Sequence, residues 1–324
     1  MAGALFRILH AGPQVSVQDG GRRGLMRYGV PASGPMDRAA LAIANTALGN
    51  PADAPGIEVS RGGLTLECLS GSVGFAVAGG GFILEAGGAR QGSWQVAAIS
   101  AGQRLSLRPG PWGSWTYLAF AGKLEVPDWL GSAATHALSG LGGGMLATGG
   151  QIALATAERR AEREGPIPCP VSARPRHRLH VVIGPQERFF GGDTLTTFLT
   201  RPFHVTDAAD RMGVRLRGPT LAPDATLDMP SEPVLRGSVQ VAGDGVATVL
   251  LADHQTTGGY PKIATILSAD LDGFVQLRPQ DTVWFHAIGP EAAVALARRR
   301  QRSHAEYLGR LALRQPLMPA FRPS

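Results

Sequence analysis

Only two cysteines, Cys68 and Cys169, occur in 324 residues, too few for a disulfide framework or a cysteine-based zinc site. Lysine is equally scarce: Lys123 and Lys262 stand alone, so arginine supplies 29 of the 31 basic residues. Aromatic residues make up 6% of the chain and interleave with no basic stripe, which argues against a nucleic-acid partner. Charged residues reach 17%, below the roughly 25% of an ordinary globular protein. The net charge of +6 and the pI near 10.0 therefore reflect arginine use more than a binding stripe.

Other absences narrow the chemistry. No run approaches 18 apolar residues, so no membrane span is expected. Met1 to His10 lacks the basic and long apolar regions of a signal peptide, and a cytoplasmic protein is expected. There is no G-x-x-x-x-G-K-[ST] phosphate loop, no G-x-S-x-G elbow and no H-E-x-x-H. The eight histidines are scattered, and the closest pair, His177 and His180, would face opposite sides of a strand. No metal site is expected. Neither lysine lies in a Met-Lys-Met turn, so the chain does not itself carry biotin.

Glycine, at 44 residues, and proline, at 24, are abundant, while 44% hydrophobic residues supply a sizeable core. Together they predict many short strands separated by turns. Strand-like runs are read at Leu5–Leu9, Leu64–Leu69, Val73–Val77, Trp94–Ile99, Arg104–Leu107 and Trp115–Ala121. In the second half they fall at Leu179–Ile183, Val239–Val241, Ala247–Ala252, Ile263–Leu267 and Thr282–Ile288. Regular short strands favour barrels or sandwiches over a parallel α/β sheet. Two helices are predicted, Met36–Leu48 with Gly49 just past its end, and Pro290–Leu313 with a solvated arginine face. Ala157–Arg178 is rich in Arg, Glu and Pro and reads as a linker. The expected division is residues 1–165, 166–290, and a C-terminal helix and tail over 291–324. Gly12-Pro13-Gln14 is echoed by Gly184-Pro185-Gln186, each after the first strand of its half.

Three segments concentrate chemistry. Between two apolar runs lies Asp253-His254-Gln255-Thr256-Thr257-Gly258-Gly259-Tyr260-Pro261-Lys262. Its glycines let backbone approach a ligand, and its polar groups suit a small amide, carboxylate or bicarbonate-derived group. The other reading is a hairpin capped by its own side chains. Lys262 favours a site, because a compact ammonium stands where this chain otherwise uses arginine. In Asp210-Arg211-Met212-Gly213-Val214-Arg215 the arginines are either a clamp on an anion or half of a surface ion pair. Val17-Gln18-Asp19-Gly20-Gly21 and Val30-Pro31-Ala32-Ser33-Gly34-Pro35-Met36-Asp37 lead into the first helix. There Ser33 is an anion donor, or Ser33 and Asp37 cap the first turn.

Taken together, VQDGGRRG, GVPASGPMDR…AN, DRMGVRL, SEPVLRGSVQV and DHQTTGGYPKIAT, running from about Leu5 to Ile288, resemble the family of the 5-oxoprolinase C subunit. That family is also described as biotin-dependent carboxyltransferase, urea carboxylase carboxyltransferase-like and allophanate hydrolase subunit 2-like. The resemblance implies a mainly β fold of two cyclophilin-like β-barrel domains with few helices and a C-terminal helix. It implies a cytoplasmic 5-oxoprolinase complex, formed with the A and B subunits, that hydrolyses 5-oxo-L-proline to L-glutamate with ATP, the ATP bound with the partners. The alternative it carries is a carboxyltransferase taking a carboxyl group from biotin on another chain to an amide such as urea. A third reading is a non-enzymatic, partner-binding antagonist of a kinase inhibitor. Under the enzymatic readings Lys262, Asp253 and Gln255 are the catalytic candidates. Arg211, Arg215, Thr256, Thr257, Gly258, Gly259, Tyr260, Ser33 and Gln18 are the substrate-binding ones. Relatives often show Gly-Ser-Arg-Ser-Thr where this chain has Gly131-Ser132-Ala133-Ala134-Thr135, so an arginine is missing at Ala133. They also tend to Thr-Gly-Ala near Ala78-Gly79-Gly80 and Gly-Asp near Gly149-Gly150.

Overall fold

The structure, a computed structural model, describes residues 3–223 and 229–313; the expected tail from residue 314 onward lies outside them. The chain divides into two compact units that are not contiguous in sequence. One takes in the chain up to Gly21, Asp37–Ala173 and the residues from Gln301 on. The other takes in Arg22–Met36 and Arg174–Arg300.

The first unit is built from two antiparallel sheets. One runs in the order Gly122–Leu124, Gln151–Ala157, Ala4–Ala11, Leu64–Ser70, Arg104–Arg108, Ile83–Ala86, Ala89–Gly92. The other runs Gly165–Pro166, Gln95–Ser100, Ser72–Ala78, Trp115–Phe120, Gly56–Ser60, Ser16–Gln18. Alternation in Leu64–Ser70 and Arg104–Arg108 turns Leu64, Leu66, Leu105 and Leu107 inward. They share one core with Ile57, Phe75, Val77, Leu118 and Phe120 of the second sheet, and the Phe6 and Phe120 rings meet at 5.1 Å.

Trp115–Phe120 does not alternate; all six residues are buried. One face meets the core and the other meets helix α1 (Arg38–Leu48), whose small residues Ala40, Ala44 and Ala47 are buried with Leu41 and Ile43. Asp37 caps α1, its side chain accepting from the Ala40 N–H at 2.9 Å, and Gly49 closes it in the left-handed conformation. The cap is therefore Asp37 and not Ser33. Behind it, the Asp37 N–H donates to Tyr117 Oη, which donates to Glu58 Oε2, both at 2.7 Å. Burial, with Glu58 and Asp37 beside it, pushes the Tyr117 hydroxyl well above its usual pKa, so it stays a donor.

The segment read as a linker is ordered. Arg160 donates to the Leu48 carbonyl at the α1 C-terminus and to Asn50 Oδ1, and Gly165–Pro166 adds to the second sheet beside Gln95–Val96. Arg160 and Arg163 look solvated by composition, yet they donate to carbonyls at the α1 C-terminus.

The second unit holds a closed seven-stranded barrel, in the order Arg178–Ile183, Lys262–Ile266, Ser238–Val241, Ala247–Leu250, Gly213–Arg217, Phe203–Ala209, Thr282–Ala287. Its pairings are antiparallel except the closing one, Thr282–Ala287 against Arg178–Ile183, which is parallel. Leu179, Val181, Val205, Val214, Leu216, Val239, Val249, Val283 and Phe285 are buried at alternate positions, as in a barrel whose interior is filled by side chains. Three further helices belong to the described chain: α2 (Gly192–Thr200), α3 (Ser268–Phe274) and α4 (Pro290–Ala312). Only α1 and α4 were expected. Threonine-rich α2 and seven-residue α3, with a glycine inside, are too short for helical periodicity to stand out. No helix among the described residues is long and apolar enough to cross a membrane.

Removing the Tyr117 hydroxyl strips a partner from both the α1 cap residue and Glu58, a loss of about 1–3 kcal/mol for buried groups. Tyr117→Phe is expected to lower the urea midpoint accordingly without changing far-ultraviolet circular dichroism. A shift indistinguishable from zero would show that the relay carries no stability.

Candidate functional site

Backbone pairing between Gly213–Arg217 and Ala247–Leu250 continues past the ladder: Leu251 N–H donates to the Met212 carbonyl at 2.9 Å and Asp253 N–H to the Arg211 carbonyl at 2.8 Å. This register sets Arg211 opposite Asp253 at one end of the barrel. Both side chains are buried, at 2% and 1% exposure. Arg211 Nε donates to Asp253 Oδ2 at 2.9 Å and Nη2 to Oδ1 at 3.0 Å, a two-pronged, charge-assisted pair. Nη2 also donates to the Gly34 carbonyl at 2.7 Å. Arg236 donates to the next two carbonyls, Pro35 at 3.0 Å and Met36. Arg22–Met36 is thereby held against the barrel of its own unit, with Ser33 at φ 53°. Neither Arg211 nor Asp253 keeps the open face that a substrate clamp or a general base needs; the pair anchors the site.

The loop from Asp253 to Pro261 is zipped to a second excursion. Glu232–Pro233 pairs with Thr257–Gly258 in a short antiparallel ladder, and the Val234 N–H donates to the Thr256 carbonyl at 3.1 Å. Lys262 opens the next strand, opposite Gln240. Its backbone N–H donates to Gln186 Oε1 at 2.8 Å, and Gln186 Nε2 donates to Glu232 Oε2. Lys262 Nζ lies 3.6 Å from that same Glu232 oxygen, an ion pair too long to be a hydrogen bond. Gln255 Nε2 donates to Gln240 Oε1 at 3.1 Å. A Cβ at Gly258 would come 2.7 Å from Gln240 Nε2, so glycine there keeps the amide in place.

Lys262 Nζ, Gln240 Nε2 and Ser33 Oγ are among the buried side-chain atoms of this unit that have no hydrogen-bond partner among the described residues. Buried donors are nearly always satisfied, so these are open valences waiting for an acceptor. Tyr260 is 49% exposed and Thr257 is exposed, while Thr256 and Gly259 are half-buried. Arg215 sits apart, on the solvent side of its strand and paired with Asp244 at 2.6 Å. Gln18 belongs to the other unit, where it is fully buried and donates to Ser16 Oγ and the Thr135 carbonyl. Beside it Asp19 accepts from Ser132 Oγ and the Ala133 N–H, both at 2.6 Å, so the segment lacking its arginine is still anchored through backbone.

Sequence reasoning missed Gln186, Glu232, Gln240 and His254 as members of this cluster. The Gly184-Pro185-Gln186 echo was the available signal for the first. His254 is 3% exposed, and its Nδ1 lies 2.6 Å from the Gln255 carbonyl, which makes Nδ1 the protonated nitrogen. Burial, aided by the positive charge of Arg236, lowers its pKa from the ordinary 6.5, against the opposing pull of the Gln255 carbonyl and Asp253.

Breaking a buried ion pair from one side leaves an uncompensated charge and costs about 3–5 kcal/mol. Arg211→Met is therefore expected to lower unfolding free energy by that order, and the double variant Arg211→Met/Asp253→Leu by clearly less than the sum of the two single changes. Additive losses would show the two groups to be energetically independent. His254 gives a pH signature. Its folded-state pKa lies below the unfolded one, so the unfolded chain binds the proton more readily. The stability it contributes is complete above pH 6.5 and is lost as pH falls through the lower folded value. In His254→Gln the denaturation midpoint should fall less steeply below neutrality than in wild type; identical pH profiles would contradict a buried neutral imidazole.

The profile of the family described as "Carboxyltransferase domain, subdomain A and B" matches residues 28–287. The chain is 32% identical over 311 residues to the C subunit of 5-oxoprolinase from Escherichia coli (strain K12), covering 95% of this chain and 99% of that protein. It is 32% identical over 300 residues to the Haemophilus influenzae protein of the same name, covering 92% and 96%. Among solved structures, the Kluyveromyces lactis urea carboxylase superposes with a TM-score of 0.82 at 27% identity, over 94% of this chain and 29% of that one. A profile match over most of the chain, joined to near full-length identity above 30%, places the protein in the family of carboxyltransferase domains comprising subdomains A and B.

Proposed function

We propose that this chain is the C subunit of an ATP-dependent 5-oxoprolinase, opening the lactam of 5-oxo-L-proline to L-glutamate in a complex with the A and B subunits. The observation that carries the reading is the near end-to-end match to two bacterial proteins of that name. The donor cluster around Lys262 gives it a chemistry.

A lactam is unreactive because nitrogen donates into its carbonyl, and hydrolysis needs charge stabilised on the oxygen. Lys262 Nζ and Gln240 Nε2, on facing positions of neighbouring strands and lacking hydrogen-bond acceptors, are fitted to receive that oxygen. Fixed donors in a dry setting favour developing negative charge at small reorganisation cost. Glu232, 3.6 Å from the ammonium, is the carboxylate positioned to exchange a proton with it. Gln186 holds that carboxylate and the Lys262 backbone from one side chain. Gln255 orients the Gln240 amide, and Ser33 adds a hydroxyl on the loop that Arg211 secures. ATP would be a co-substrate of the assembled complex. A phosphoryl group passed to the lactam oxygen, with release of ADP, would activate the carbonyl carbon for water. The C–N bond would break to give an acyl phosphate, and a second water would release phosphate and glutamate.

A second reading has its own support: the family's carboxyltransferase description and the likeness to urea carboxylase. There the same donors would polarise an amide such as urea while its nitrogen accepts a carboxyl group from biotin carried on another chain.

The test uses this chain assembled with its A and B partners, assayed for ATP-dependent glutamate release from 5-oxoproline. Wild type should release glutamate, and Lys262→Met should lose at least about a hundredfold in kcat, the order seen on removing one oxyanion donor, with the complex intact by gel filtration. A well-assembled complex without glutamate release would overturn the oxoprolinase reading. Urea-dependent transfer of the carboxyl group from carboxybiotin by the same preparation, detected as N-carboxyurea with free biotin, would then establish the second.

A further inference from the structure

The parallel closing pair of the barrel has an outer face that the oxoprolinase reading does not use. Along Arg178–Ile183 and Thr282–Ala287, Leu179, Val181, Val283 and Phe285 are buried. The alternate residues point out, and the register sets Arg178 beside Trp284 and His180 beside His286. The two imidazoles meet edge to face at 5.8 Å. Together with Arg176, these four line a cavity of about 470 Å³ that Leu199 and Phe285 complete.

The charge around the cavity is unbalanced. Asp270, fully buried on α3, accepts from the His180 N–H and lies 2.8 Å from His180 Nδ1. It also pairs with Arg176 at 3.1 Å and with Arg300 of α4. One carboxylate thus faces two guanidiniums, and Arg178 makes no ion pair or side-chain hydrogen bond among the described residues. Burial and the neighbouring Arg300 lower the Arg176 pKa against the pull of Asp270, consistent with crowded positive charge. Guanidinium and imidazole donors converging on an open cavity match a phosphoryl group, and the half-exposed indole of Trp284, 39% accessible, offers a flat wall for a ring attached to it.

We propose that this cavity is a binding site for a small phosphate monoester, with Arg178 as its free cation and Trp284 as its stacking surface. The site lies wholly within residues 174–300 and stands or falls independently of the reaction assigned to the Lys262 cluster.

Titration calorimetry of the full chain with AMP, ribose 5-phosphate and inorganic phosphate tests it, alongside Arg178→Gln and Trp284→Leu. Both side chains face solvent, so the variants should melt as wild type does. Saturable binding of AMP and ribose 5-phosphate is expected, weakened about tenfold by Arg178→Gln, the scale of one charge-assisted contact. AMP binding more tightly than ribose 5-phosphate, with the difference lost in Trp284→Leu, would identify a nucleotide; equal binding would identify a sugar phosphate. Absence of saturable binding by all three, or binding that Arg178→Gln leaves unchanged, would overturn the proposal.

Discussion

The guanidinium of Arg211 is the tie on which the second unit's architecture depends. Burying a charge costs several kcal/mol unless it is paired and hydrogen-bonded, and here the fork is filled by both Asp253 oxygens and the Gly34 carbonyl. Three stretches far apart in sequence, around residues 34, 211 and 253, are brought to one point by a single planar side chain. Lysine could carry the charge but could not present the same fork. The ion pair is thus a register device: it selects the arrangement in which the Arg22–Met36 loop lies against the barrel and the Asp253–Pro261 loop begins at a fixed place.

What the tie supports is a set of donors without acceptors. Gln186, Glu232, Gln240 and Gln255 form hydrogen-bonded or ionic links around Lys262, yet Lys262 Nζ and Gln240 Nε2 have no hydrogen-bond partner among the described residues. A core assembled for stability alone would not leave two adjacent buried donors open. Amide hydrolysis and carboxyl transfer to an amide nitrogen share the need to stabilise charge on a carbonyl oxygen. Under the proposed function, one donor set would suit either chemistry.

Much of this was legible in the chain itself. The strand runs from Leu5–Leu9 to Thr282–Ile288 are strands in the structure, because alternating or continuous apolar residues between glycines leave little else for them to become. Phe203–Ala209 escaped notice because polar residues dilute its alternation, and Gly213–Arg217, though it alternates, is only five residues long with a single pair of buried apolar side chains. The motif around Lys262 stood out through one lysine in an arginine-rich chain. The partnership of Arg211 with Asp253 did not, since 42 residues separate them and only barrel register makes them neighbours. Gln186, Glu232 and Gln240 are ordinary polar residues in sequence; folding alone gives them a common focus. Arg211, a substrate-binding candidate, and Asp253, a catalytic candidate, are in the structure each other's partner.

The most direct test of this account is amide hydrogen exchange on Arg211→Lys, which keeps the charge and removes the fork. If the guanidinium ties the loops to the barrel, protection should fall together in residues 22–36 and 251–261 while the barrel strands Ser238–Val241 and Ala247–Leu250 keep theirs. Unchanged protection in both loops, or loss spread evenly over the unit, would show that the loops are held by other contacts and that the tie is not the constraint described.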